Sequence, residues 1–131
     1  MLRFEWDNKY SVNIDSIDEQ HKKLLMVMND LHYAMVQGKG RIKVAKLLRA
    51  LLDYSLTHSS YEEAYMSSIS YPGLNNHKLE HQTFINNIKS FMEKAENPNI
   101  ALPIDVINFL KDWFLSHVLI EDKKYEEFSK R

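Results

Sequence analysis

The chain predicts an all-α fold: an antiparallel up-down-up-down four-helix bundle with a non-helical N-terminal arm. Three observations carry that prediction. Glycine and proline number only three each in 131 residues, which favours long uninterrupted helices over turn-rich β structure. Apolar residues recur at steps of three and four along four separate segments. The connections between these segments are short, so successive helices lie side by side and antiparallel. The length suits a single domain with its own core, read as an arm over residues 1–15 and a bundle with C-terminal tail over 16–131.

In chain order, the arm carries Phe4 and Trp6, placed to close one end of the bundle. Ser16 and Glu19 form an S-x-x-E capping box that opens the first helix. Its stripe runs His21, Leu24, Leu25, Met28, Leu31, His32 and Met35, and Gly38 and Gly40 stop it. The second helix starts near Arg41 and lines up Val44, Leu48, Leu51, Ser55, His58, Glu62 and Tyr65. Ser70-Tyr71-Pro72-Gly73 breaks the chain. A third helix carries Leu74, His77, His81, Phe84, Ile88, Phe91 and Ala95, and Asn97-Pro98-Asn99 ends it. Pro103 suits the first turn of the fourth helix. That helix turns Val106, Leu110, Trp113 and His117 inward, then dissolves into a polar tail, EDKKYEEFSKR.

Composition removes several function classes. A net charge of −1 gives no electrostatic footprint for nucleic acid. The absence of cysteine excludes disulfides, thiolate zinc sites and cysteine-ligated iron–sulfur clusters. The opening MLRFEWDNKY has no apolar signal region, and no stretch reaches membrane-spanning length. A cytoplasmic monomer, without membrane insertion, is the expectation.

The chemistry sits on the apolar stripes. His21, the pair His58/Glu62, the pair His77/His81 and the pair His117/Asp122 occupy four different helices. A polar group on such a stripe needs a partner to offset its desolvation. Residues four apart leave one face of an α-helix about 5–6 Å from each other, a workable bite for a metal. His117 and Asp122 are five apart, roughly 140° out of alignment at about 100° per residue. Asp122 therefore reaches the same centre only if the helix loosens there or the carboxylate swings across the bundle. Five imidazoles and two carboxylates are too many donors for one tetrahedral zinc, and suit a pair of first-row ions in a bundle core. Residue types alone leave iron, zinc, copper and nickel open. No Glu-x-x-His occurs, Asp18-x-x-His21 being the nearest approach. A histidine-rich, carboxylate-poor set stabilises highly oxidised iron less, which tilts the reading towards reversible ligand binding.

The pattern D-x-Q-H (Asp18 to His21), H-x-x-x-E (His58 to Glu62), H-x-x-x-H (His77 to His81) and W-x-x-x-H-x-x-x-x-D (Trp113 to Asp122) resembles hemerythrin, specifically its bacterial single-domain members. The resemblance covers essentially the whole chain, residues 1–131. It implies two iron ions, Fe2+ or Fe3+, with His77, His81 and His117 on one and His21 and His58 on the other. Glu62 and Asp122 would bridge them together with an oxo or hydroxo group. O2 would bind end-on at the open position of the two-histidine iron and be held as hydroperoxide, with no residue acting as catalyst. The function implied is reversible O2 binding for intracellular transport, storage or delivery. An oxygen or redox sensor acting on a partner protein, and a di-iron peroxidase or oxidase, are the alternatives. An oxygen-consuming enzyme or a sensor partner would be the recipient.

Two positions depart from the family's usual residues. Ser59 follows the second-helix histidine where an aromatic is common, and Phe114 stands where leucine or isoleucine usually lines the oxygen pocket. Phe114 is thus expected to contact bound O2 and to narrow or shield its pocket. His32 lacks a partnering motif and reads as a core or boundary residue. Trp113, Phe84, Phe91 and the methionines read as packing. Tyr125, three residues beyond Asp122, either donates to the site's outer shell or faces solvent. The basic run Lys39, Arg41, Lys43, Lys46 and Arg49 reads as a solvated face, with a docking patch for an acidic partner as the alternative.

Overall fold

A computed structural model describes residues 4–96 and 102–130. Every regular element among them is helical: α1 (Asp15–Val36), α2 (Gly40–Ser68), α3 (Leu74–Ala95), α4 (Leu102–Trp113), a π-helical segment (Phe114–Glu121) and α5 (Asp122–Ser129). The last three follow one another without a break and together form the fourth member of a four-helix bundle. α2 packs on α1 and α3, and α4 packs on all three. No described helix is long and apolar enough to cross a membrane.

Several ends differ from the sequence expectation. α1 starts at Asp15 behind Ile14, with no side-chain cap, because the Ser16 hydroxyl is 2.6 Å from the Tyr61 hydroxyl instead of turning back on its own helix. The capping box is therefore not formed. Only Gly38 ends α1: its φ of 73° lets Lys39 N–H reach the Ala34 carbonyl. Gly40 belongs to α2, where a Cβ would lie 2.7 Å from Met35 Cγ. The arm is not wholly irregular, since Asn8–Tyr10 makes a 3-10 turn capped by Asp7. Its link to the bundle runs through Asp18, which accepts from Ser11 Oγ at 2.5 Å and Val12 N–H at 2.9 Å. The polar tail also stays helical as α5, because Asp122, Tyr125 and Glu126 share a buried face. The expected stop at Asn97-Pro98-Asn99 lies outside the described residues.

Two apolar layers form. The larger holds Leu24, Leu25, Met28 and Leu31 of α1, Leu48 and Leu51 of α2, Phe84 and Ile88 of α3, and Leu110, Phe114 and Val118 of the fourth helix. The smaller holds Val12, Ile17, Met66 and Tyr125. Along α1 the order is Ile17, His21, Leu24; along α2 it is Leu51, His58, Glu62, Met66. A polar layer is thus enclosed between two dry ones.

Candidate metal centre

The helical periods deliver the polar layer. His58 and Glu62 lie one turn apart on α2, and His77 and His81 one turn apart on α3, so each pair faces inward from one side of its helix. The fourth helix solves the five-residue spacing by widening. From Phe114 to Glu121 it is π-helical, and Asp122 N–H bonds to the His117 carbonyl, five residues back. A wider turn closed by i→i+5 bonds stacks residues five apart as an α-turn stacks residues four apart. His117 and Asp122 therefore share one face. All seven side chains are buried.

Glu62 divides its oxygens between two groups of imidazoles. Its Oε1 lies 2.8 Å from His77 Nε2, 2.9 Å from His81 Nε2 and 3.6 Å from His117 Nε2. Its Oε2 lies 3.5 Å from His58 Nε2 and 3.7 Å from His21 Nε2. Asp122 divides in the same way. Oδ1 is 2.7 Å from His77 Nε2 and 3.1 Å from His117 Nε2, whereas Oδ2 is 3.0 Å from His21 Nε2. Two clusters result, Glu62 with His77, His81 and His117, and Glu62 and Asp122 with His21 and His58. Within each, the candidate ligand atoms all lie within 4.8 Å of one another.

The donor set fits cations better than it fits itself. His21 Nε2 and both Asp122 oxygens are fully buried without a hydrogen-bond partner, so their close approaches are not aligned for N–H···O bonding. Leaving such atoms unsatisfied costs about 1–3 kcal/mol each, and more where charged. His77 and His81 satisfy Glu62 Oε1, but the His21 nitrogen and the Asp122 oxygens that converge beside them are arranged as ligands around a positive charge. The chemistry of the set, borderline nitrogen donors with hard oxygens, suits first-row transition metals.

Outer partners orient the rings. His58 Nδ1 is 2.6 Å from Gln20 Oε1, His81 Nδ1 is 2.7 Å from Glu63 Oε2, and His117 Nδ1 is 3.3 Å from Glu80 Oε1. Each leaves Nε2 free to face the centre. Tyr125 is fully buried and donates to Glu62 Oε2 at 2.9 Å, which settles its role against solvent exposure. Trp113 stacks on His117 with centroids 4.2 Å apart. Gln20, Glu63 and Glu80 lie off the apolar stripes, and periodicity does not pick them out; Gln20 stands in the D-x-Q-H pattern, whereas the signal for Glu63 and Glu80 is that each adjoins a stripe residue, Glu62 or His81.

In the protein without bound cations, charge redistributes within this layer. Burial opposes charge on His21 and His77, yet the Asp122 and Glu62 carboxylates beside them win and push both up to about 9. Burial dominates at His58, which falls to about 4. Burial works against the charged forms of Glu62 and Asp122 too, but the surrounding imidazoles hold both below the usual carboxylate range.

Phe114 is buried in the larger apolar layer and meets Tyr10 of the arm edge-on, centroids 4.8 Å apart. Ser59 is buried as well. His32 lies outside the centre, its ring 6.4 Å from that of Phe4.

Residues 12–128 match the family model for the hemerythrin HHE cation binding domain. The bacteriohemerythrin of Clostridium acetobutylicum is 30% identical over 127 residues, covering 93% of this chain and 98% of the relative. The myohemerythrin of Theromyzon tessulatum is 28% identical, covering 94% and 91%. A crystal structure of wild-type hemerythrin superposes with a TM-score of 0.82 at 28% identity over 95% of each chain. A hemerythrin mutant gives 0.84 at 28% identity over 97% of each. Sequence match, bundle architecture and a buried histidine–carboxylate layer agree, and the chain belongs to the hemerythrin family.

Proposed function

We propose that the centre holds two iron ions and binds O2 reversibly, for oxygen carriage, storage or delivery. The observation that supports this most is the division of the Glu62 and Asp122 oxygens between three imidazoles on one side and two on the other. On this reading His77, His81 and His117 ligate one ion, His21 and His58 the other, and the two carboxylates bridge. Donor numbers then differ between the ions, and the side with fewer imidazoles has room for an added ligand. A ferrous pair bound there supplies the two electrons that O2 binding takes up and returns.

The chain's own residues hold and enclose. Gln20, Glu63 and Glu80 fix ring orientation, and Tyr125 keeps Glu62 in place by donating to Oε2. The layers of Leu24, Leu25, Phe114 and Val118 above, and Ile17 and Met66 below, exclude bulk water. Exclusion slows displacement of a bound ligand by water or anions. On this reading Phe114, in the larger apolar layer, serves as an apolar wall of the ligand pocket. Phe114→Ala is expected to quicken autoxidation and to lower stability by about 3–5 kcal/mol; unchanged autoxidation kinetics would remove Phe114 from the wall.

The test is an anaerobic optical cycle on iron-loaded protein. Reduction, addition of O2 and its removal should make a visible charge-transfer band appear and disappear over several rounds. Immediate conversion to a stable ferric spectrum would instead favour a redox sensor or a di-iron oxidase or peroxidase.

A further inference from the structure

Tyr54 is oriented against the habit of its side chain. A tyrosine at the edge of a core normally buries its ring and gives its hydroxyl to water. Here the ring lines a groove of about 480 Å³ between α1 and α2, beside Gln20, Met26 and Val27, while the hydroxyl oxygen is fully buried. That oxygen has no hydrogen-bond partner among the described residues. The ring also stacks flat on His58, with centroids 5.4 Å apart and planes within 5°. It packs against the larger apolar layer, the one that contains Leu24, Leu25 and Phe114.

A second tyrosine shows what a satisfied hydroxyl looks like in this protein. Tyr125 reaches in from the smaller apolar layer and donates to Glu62 Oε2 at 2.9 Å. Tyr54 approaches from the opposite layer, one helical turn before His58, and meets no acceptor among the described residues. Phenylalanine would fill the same space without burying an unpaired polar atom. The isolated hydroxyl therefore marks a place where an acceptor arrives from outside the chain, at the end of the centre that carries two imidazoles.

We propose that the Tyr54 hydroxyl is the hydrogen-bond donor to a small anionic or oxygen-containing ligand held at the two-histidine end of the centre. This rests on the di-metal reading above. A neutral phenol is a donor at pH 7, with an ordinary pKa of about 10. In a dry layer a single such bond to a charged acceptor is worth more than in water. The donor adds affinity for ligands that accept a hydrogen bond and nothing for those that do not.

The test compares wild type with Tyr54→Phe in the iron-loaded, oxidised protein, using azide as the probe. Azide affinity is read from an optical titration of the loaded protein, and thermal melting is recorded on the metal-free protein without azide. The variant should bind azide about tenfold more weakly. It should melt at or above the wild-type temperature, because an unpaired buried hydroxyl has gone. Equal azide affinity would overturn the proposal. So would a clearly lower melting temperature, which would mean that the hydroxyl is already satisfied within the protein. Failure of the wild type itself to bind azide would strike the di-metal reading, and the Tyr54 proposal with it, and is told apart because it needs no variant.

Discussion

The two ends of the centre are built from different materials. At one end three imidazoles converge from α3 and the π-helical segment, and two of them, His81 and His117, turn Nδ1 towards the carboxylates Glu63 and Glu80. At the other end His21 and His58 stand on α1 and α2, and among the described residues the one outer partner is the neutral amide of Gln20, with His21 Nδ1 meeting none. Anionic outer partners raise ligand basicity and hold an ion tightly, whereas a neutral one does less. On the di-metal reading proposed above, the difference would be a division of labour: one end would retain a cation, and the other would keep a coordination place and an apolar wall available.

Glu62 and Asp122 are shared by both ends, and Glu62 lies against all five imidazoles, so its loss should be the most damaging. Glu62→Ala is expected to cost both ions, with metal affinity down more than about a hundredfold by elemental analysis after dialysis. Full retention of either ion would deny the bridge. Next come variants confined to one end. His81→Ala should lose the three-histidine ion and, through the shared carboxylates, weaken its neighbour. His58→Ala should spare the three-histidine ion more than the pair. Equal metal content in the two variants would erase the asymmetry.

A smaller effect is expected from the outer partner. Glu63→Gln should weaken the three-histidine end by about tenfold while leaving the fold intact, read as faster iron loss to a chelator. Identical release rates would mean that its charge does not reach the centre.

Smallest is a change in the sign of a pH slope. His21 and His77 have folded-state values of about 9, above the usual histidine value of about 6.5. A raised pKa stabilises the fold below the unfolded value and loses that contribution as pH rises through the folded one. His58 is neutral throughout that window and adds nothing to it. Metal-free protein should therefore melt progressively lower between about pH 7 and 9. Loaded protein should hold or gain, because cations compete with protons for the same nitrogens. Parallel slopes in the two forms would show that these imidazoles do not exchange protons for metal.

Much of this was legible from residue spacing. The pairs His58/Glu62 and His77/His81 announce themselves because four residues make one α-turn, and the stripes around them name the inward faces. The five-residue gap from His117 to Asp122 announced a misfit, with two remedies open. The structure takes the first, a wider helical turn that aligns the pair. Nothing local in FLSHVLIE dictates a π-helix; the packed centre around it does, so periodicity alone could not choose. The tail was misread for a related reason. EDKKYEEFSKR is polar on average, yet Asp122, Tyr125 and Glu126 share one buried face, and Phe128 reaches Tyr71 with ring centroids 5.5 Å apart. Ser16 and Glu19 matched a capping pattern, but Tyr61 from α2 claims the Ser16 hydroxyl. A contact between residues 45 positions apart leaves no trace in a local motif.

The central claim is that one buried layer holds two unequal ions. Anaerobic titration of metal-free protein with ferrous iron, followed by Mössbauer spectroscopy of the loaded sample, tests it most directly. The account predicts saturation at two ions per chain and two inequivalent iron signals in the His58→Ala-sensitive and His81→Ala-sensitive positions. Saturation at a single ion, with Glu62 serving one side alone, would contradict it.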